Sequence, residues 1–196
     1  MKSAKSLALA FGIMVTTLLG GASSAQAQYG YPPPPPPRGM YRGGLVLGGS
    51  VGAGSISSDN CGPLCGGAGM IEGHIGGMLN PRLALMGDFW GGFHPWDDGV
   101  GTGTTYQGLY TLAVQYWATE ILWLKGGLGF SQLQYGYDGS YAVNDESGTG
   151  LLLAAGVEVV QSYNFALDLQ FRLGHGFYTE GPDVNNLAFM IGVNWY

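Results

Sequence analysis

Charge is scarce in this chain. Asp, Glu, Lys and Arg make up 10% of 196 residues, against about 25% in an ordinary soluble domain. Lys and Arg number only seven and the formal net charge is −6. So few cations exclude a nucleic-acid phosphate backbone as partner. Cysteine is limited to two residues, too few for a disulfide-built scaffold. Three scattered histidines without metal-ligand spacing do not suggest zinc, and no metal or cofactor motif is present. Past residue 19 no apolar run is long enough for a membrane-spanning helix. Prolines after the Pro32–Pro37 run are confined to Pro63, Pro81, Pro95 and Pro182. None falls inside an alternating segment, which suits strands, since proline lacks a ladder donor.

Glycine is abundant, at 37 residues, and aromatics reach 13%. With 46% hydrophobic residues the chain is not disordered. The glycines follow no collagen period, so they must lie within folded elements.

Three segments follow from composition. Lys2 and Lys5 precede an apolar Leu7–Leu19, and Ala25-Gln26-Ala27 is a small-residue cleavage site. Residues 1–27 therefore read as a signal peptide, with the mature chain starting at Gln28. Residues 28–42 read as a Pro-rich periplasmic spacer, stiffened by its polyproline run. Residues 43–196 read as one barrel domain.

Asn164–Phe177 sets the pattern for that domain. Phe165, Leu167, Leu169, Phe171 and Leu173 share one parity; Ala166, Asp168, Gln170, Arg172 and Gly174 share the other. A period of two is a strand with one apolar and one polar face. The same alternation predicts strands near 43–55, 67–79, 82–93, 105–117, 121–135, 148–160, 164–177 and 186–196. Links alternate between long, Gly/Asp/Ser-rich stretches and short turns near Asn80-Pro81, Ala118-Thr119 and Gln161–Asn164. The expected fold is all-β, an eight-stranded antiparallel up-and-down transmembrane β-barrel.

Parity alone does not say which face is inside, and a soluble lipocalin-like ligand carrier shares the pattern. The polar face carries about one charge per strand among small residues, too few for a solvated surface and suited to a narrow lumen. Aromatics also crowd the strand ends: Phe93, Trp96, Tyr116, Trp117, Trp123, Tyr135, Tyr163, Phe165, Trp195 and Tyr196. That distribution suggests interfacial girdles.

With its signal peptide, eight alternating strands, acidic links and terminal V-N-W-Y, the chain resembles the small outer-membrane β-barrels of the OmpA/OmpX type. The resemblance implies residence in the outer membrane, contact with lipid and lipopolysaccharide, and insertion by the barrel-assembly machinery. It also implies a polar, closed lumen. A monomer is expected, since a closed barrel has no free edge.

Inward parity selects Glu72, His74, Asp88, Lys125, Glu158, Asp168 and Arg172 as a lumen charge network. Pairing across a symmetric loop predicts Lys125 opposite Glu158, with Asp168 beside Glu158 across the short turn and Arg172 at the depth of Glu72 and Asp88. One reading closes the lumen with these charges; the other makes them a narrow ion path. Cys61 and Cys65, as C-G-P-L-C, are expected to form a small loop disulfide in an oxidising compartment. Asp97, Asp98, Asp138, Asp145 and Glu146 are candidate loop ligands for divalent cations, or simply repel at the mouth. The loops are also the candidate contact surface for an extracellular ligand. R-L-G-H-G-F at Arg172–Phe177 is faintly similar to the H-x-S segment of lipid A deacylases. Phe177 stands where the serine nucleophile belongs, so catalysis is not expected. The function expected is structural or surface-interactive.

Overall fold

A computed structural model describes residues 41–59, 62, 65–97, 99, 101–137, 140–179 and 181–196. The expected signal peptide and most of the expected spacer lie outside these residues. Eight strands close into a barrel in sequence order: β1 Leu45–Ser58, β2 Gly66–Asn80, β3 Leu83–Asp97, β4 Thr102–Trp117, β5 Leu122–Tyr137, β6 Ser140–Gln161, β7 Phe165–Tyr178 and β8 Val184–Trp195. Every neighbouring pair is antiparallel, and β1 completes the ring against β8, with Leu47 opposite Trp195. The end where β1 begins and β8 finishes is called the near end; the opposite one is the far end.

The near-end turns are fixed locally. Asn80 Oδ1 accepts the backbone N–H of Arg82 at 2.9 Å, a side chain standing in for a backbone turn. Thr119 Oγ1 does the same for Leu122 at 3.0 Å. Between β6 and β7, Ser162 N–H donates to the Phe165 carbonyl at 2.7 Å.

The far-end links are shorter than the sequence suggests. β6 begins at Ser140, where composition predicts loop until 148, and β5 runs on to Tyr137, past its expected end at 135. Gly, Ser and Asp have low strand propensity, but pairing with a neighbouring strand overrides a weak local preference. Asp97, Asp145 and Glu146 consequently lie on β3 and β6 rather than in loops. Asp98 and Asp138 lie outside the described residues.

The barrel is inside out relative to a water-soluble one. Val51 and Phe189 on the outer face are 67% and 66% exposed, while Asp168 and Arg172 inside are 0% exposed. A belt of exposed Leu, Ile, Val and Phe encircles the sheet, as lipid demands. This removes the soluble ligand-carrier alternative. The aromatic girdle needs one correction. Trp117 and Trp123 are buried in the lumen, where their parity points, Tyr135 packs against the far-end lumen cluster, and Tyr196 packs edge-on against Trp117 at 5.7 Å. Trp195 does face outward, against Phe165.

Candidate functional site

The lumen is filled in three tiers. At the far end an apolar cluster includes Ile56, Met70, Trp90, Leu109, Leu133 and Met190. At the near end Val46, Met86, Trp117 and Trp123 form a second cluster. Charged side chains lie between and beside them.

Inward glycines make this filling geometrically feasible. A methyl group on Gly174 would collide with the Trp90 ring, on Gly156 with the Trp123 indole, and on Gly48 with the His74 imidazole. A narrow barrel accommodates a large side chain on one wall only where the facing wall is bare. That is one physical reason for so much glycine inside strands.

In the middle tier, Asp88 holds two cations: Lys125 Nζ at 2.8 Å and Arg172 Nη2 at 2.6 Å. Glu72 lies 3.3 Å from Arg172 Nη1 and 3.6 Å from Lys125 Nζ. Its other oxygen accepts from Ser50 Oγ at 2.7 Å. His74 Nδ1 is 2.6 Å from Glu72. The backbone explains the convergence. His74 pairs with Asp88 across β2–β3, and both Lys125 and Arg172 flank Ala154, whose small side chain leaves them room. Two carboxylates against two permanent cations balance the charge that burial would otherwise penalise. Arg172 also lies 5.3 Å from the Trp90 ring and Lys125 5.6 Å from the Trp123 ring, favourable for cations over aromatic faces.

Asp168 is satisfied differently. It accepts from Trp123 Nε1 at 3.0 Å, Asn194 Nδ2 at 2.9 Å and Gln170 Nε2 at 2.9 Å. Among the described residues no cation bridges it. Gln170 also accepts from Arg172 at 3.2 Å, so the middle tier continues without a break to Asp168.

Glu158 pairs with Asp168 in register, but Lys125 is not its partner. Lys125 lies opposite Ala154, and Glu158 binds Arg42 at 2.6 Å. The symmetric-loop expectation fails because β5 turns into β6 earlier than a loop centred between Lys125 and Glu158 requires. A register shift between Tyr135 and Tyr137 makes up only part of the offset. Arg42 is a residue that sequence reasoning missed. It precedes the first strand, where no periodicity assigns it a face. Gln170 and Asn194 were legible as inward polar positions from parity alone.

Glu72, His74 and Asp88 place ligand atoms within 4.8 Å of one another, a grouping that linear spacing hides. Both carboxylates already face Lys125 and Arg172, so a divalent cation would have to displace two fixed positive charges. His175 faces outward as parity expects. Its Nδ1 lies 2.7 Å from Asn185 Oδ1 and its Nε2 3.7 Å from Asp183. It borders a surface groove of about 350 Å³ with Leu151, Leu153, Leu173 and Leu187. The groove's Ser57 hydroxyl donates to the Asn185 carbonyl at 3.4 Å. β3 runs past its expected end at 93, so His94, which contacts the Gly67 carbonyl, and Pro95, expected outside the strands, both sit on it. Cys65 is not a free thiol; its expected partner Cys61 lies outside the described residues.

The family model described as outer membrane protein beta-barrel domain matches residues 14–196. Among solved structures, the crystal structure of Neisserial surface protein A is similar with a TM-score of 0.59 and 15% identity, covering 77% of this chain and 96% of that one. Ail, the attachment invasion locus protein of Yersinia pestis, in complex with the heparin analogue sucrose octasulfate, is similar with a TM-score of 0.54 and 17% identity. That match covers 78% of this chain and 98% of Ail. At such identities the likeness carries the fold. No curated protein matches the chain.

Proposed function

The chain belongs to the outer membrane protein β-barrel family and resides in the outer membrane, and we propose that it serves there as a closed, non-enzymatic barrel with a structural and surface-interaction role. The observation that supports this is the filled lumen: a fully buried ion network stacked between two apolar clusters. Eight strands enclose room for side chains, not an aqueous channel. In this reading the near end faces the periplasm, the signal peptide is cleaved after Ala27, and Cys61 pairs with Cys65.

The rival is a narrow ion path, and planar-bilayer recording separates the two. Purified, heat-modifiable barrel should add no resolved current steps to the lipid background. A stable open level in the wild-type protein would replace the closed barrel with the channel.

The far-end partner is chosen by charge. Asp59, Asp97 and Asp183 lie at the far strand ends and Asp145 and Glu146 on the far part of β6, and the sequence between those strands holds no Lys or Arg. Such a surface suits divalent cations that bridge to lipopolysaccharide phosphates. It should repel a polyanion such as the sucrose octasulfate seen with Ail. Titration of that compound is expected to give no saturable binding at physiological salt. Saturable binding would rule out charge as the guide to this surface.

A further inference from the structure

We infer that the near end of the barrel is a built receptor for a guanidinium group, and that Arg42 is its tethered ligand. Arg42 Nη2 donates to the Glu158 carboxylate and to the Glu120 carbonyl, each at 2.6 Å. Its guanidinium carbon lies 5.1 Å from the Trp117 ring centroid and 5.8 Å from that of Tyr196. A flat, weakly hydrated cation is suited to such a mixture of acceptors and aromatic walls.

The pocket's walls are held by contacts that do not involve Arg42. Glu158 also accepts from Trp117 Nε1 at 2.8 Å, from the Tyr196 hydroxyl at 2.8 Å and from Gln161 Nε2 at 2.6 Å. Gln161 further donates to the Glu120 carbonyl at 2.7 Å. These neutral donors aim the carboxylate but bring no positive charge. Its side chain is wholly buried, and among the described residues Arg42 is the only cation bridging it. A buried, pre-aimed, uncompensated carboxylate is what makes a cation site.

Arg42 is the lumen cation that does not sit on a strand, so it can leave without breaking sheet pairing. It is brought in by two further contacts. The Tyr41 N–H donates to the Tyr163 carbonyl at 2.8 Å, and the two rings stack at 5.9 Å. Gly44 then takes φ = +78°, a left-handed bend that glycine alone adopts freely, and leads the chain into β1. Tyr41 and Arg42 are thus clipped to the near end. The site's ligand class is an alkylguanidinium, free or peptidyl.

The test uses the full mature chain in detergent and reads the temperature at which the heat-modifiable band converts. R42A should lower that midpoint by about 10 °C, on the scale of an unpaired buried charge. Methylguanidinium chloride at about 10 mM should restore at least half of the loss, by binding the folded state alone. Equal concentrations of methylammonium or sodium chloride should not. Wild type should show no such selectivity, because its pocket is filled. R42K should fall between wild type and R42A. Combining R42A with E158Q should abolish the rescue, and if that double variant does not assemble, quenching of Trp fluorescence by methylguanidinium in R42A supplies the binding readout. An unchanged midpoint in R42A, or rescue by every cation alike, overturns the proposal.

Discussion

Replacing Asp88 by alanine is expected to destabilise the barrel by about 3–5 kcal/mol, the range for breaking a buried pair from one side. Asp88 is the carboxylate that both Lys125 and Arg172 approach most closely. Without it, two buried cations share Glu72 alone. The diagnosis is uncompensated charge rather than lost packing, and a second substitution tells these apart. D88A combined with R172M returns the tier to one acid and one base. The double variant should therefore melt above D88A alone, although it lacks one more native side chain. If it melts lower, packing carries the tier and the electrostatic account is wrong.

Trp90→Ala should cost about 3–5 kcal/mol, as large-to-small core changes do when the site cannot collapse. The indole is fully buried in the far-end cluster, and the surrounding side chains are held on a closed sheet that cannot draw inward. The reciprocal experiment is sharper. Gly174→Leu should be harmful in the wild type, since even a methyl there strikes the Trp90 ring and overpacking costs about 1–3 kcal/mol. In the W90A background the same leucine should stabilise, because it fills the vacated volume. A change of sign between backgrounds is the coupling expected of two residues that compete for one volume. Additive effects would mean that Gly174 is there for some reason other than the indole.

Strand number and facing were legible because one signal governed both. Alternation in segments such as Phe165–Leu173 survives any error in strand ends, and burial follows the same parity along β7 and β8. Side-chain pairing was less legible. Neighbours across a short turn, such as Glu158 and Asp168, come from counting out of Ser162–Asn164, and the structure pairs them. Lys125 was misassigned because its hairpin runs through a long polar stretch, where composition could not say where β5 stops. A register error of a few residues moves a charge by a whole tier while leaving its facing intact. Arg42 was illegible for another reason: a residue outside the strands carries no parity.

The trio Glu72, His74 and Asp88 lies between these cases. Glu72 and His74 share a face by spacing, but Asp88 joins them through the β2–β3 register. Reading that register from sequence needs the turn at Asn80-Pro81, and there the structure adds a shift between Met78 and Asn80. Position along the barrel axis, rather than orientation, is the information a single sequence supplies poorly.

The seam between β1 and β8 also has a kinetic side. It joins the first strand to the last, Leu47 to Trp195, so it is the most non-local pairing in the molecule. Until it forms, the sheet has two open edges, each a row of unsatisfied donors and acceptors. Contacts of such sequence separation form slowly, and their intermediates are prone to aggregate. The barrel therefore has no useful partial form. A chain arrested before β8 would not be a weaker barrel but an open ribbon, a substrate for chaperones and proteases in transit. Closure of the barrel thus rests on a single event, the meeting of Leu47 with Trp195.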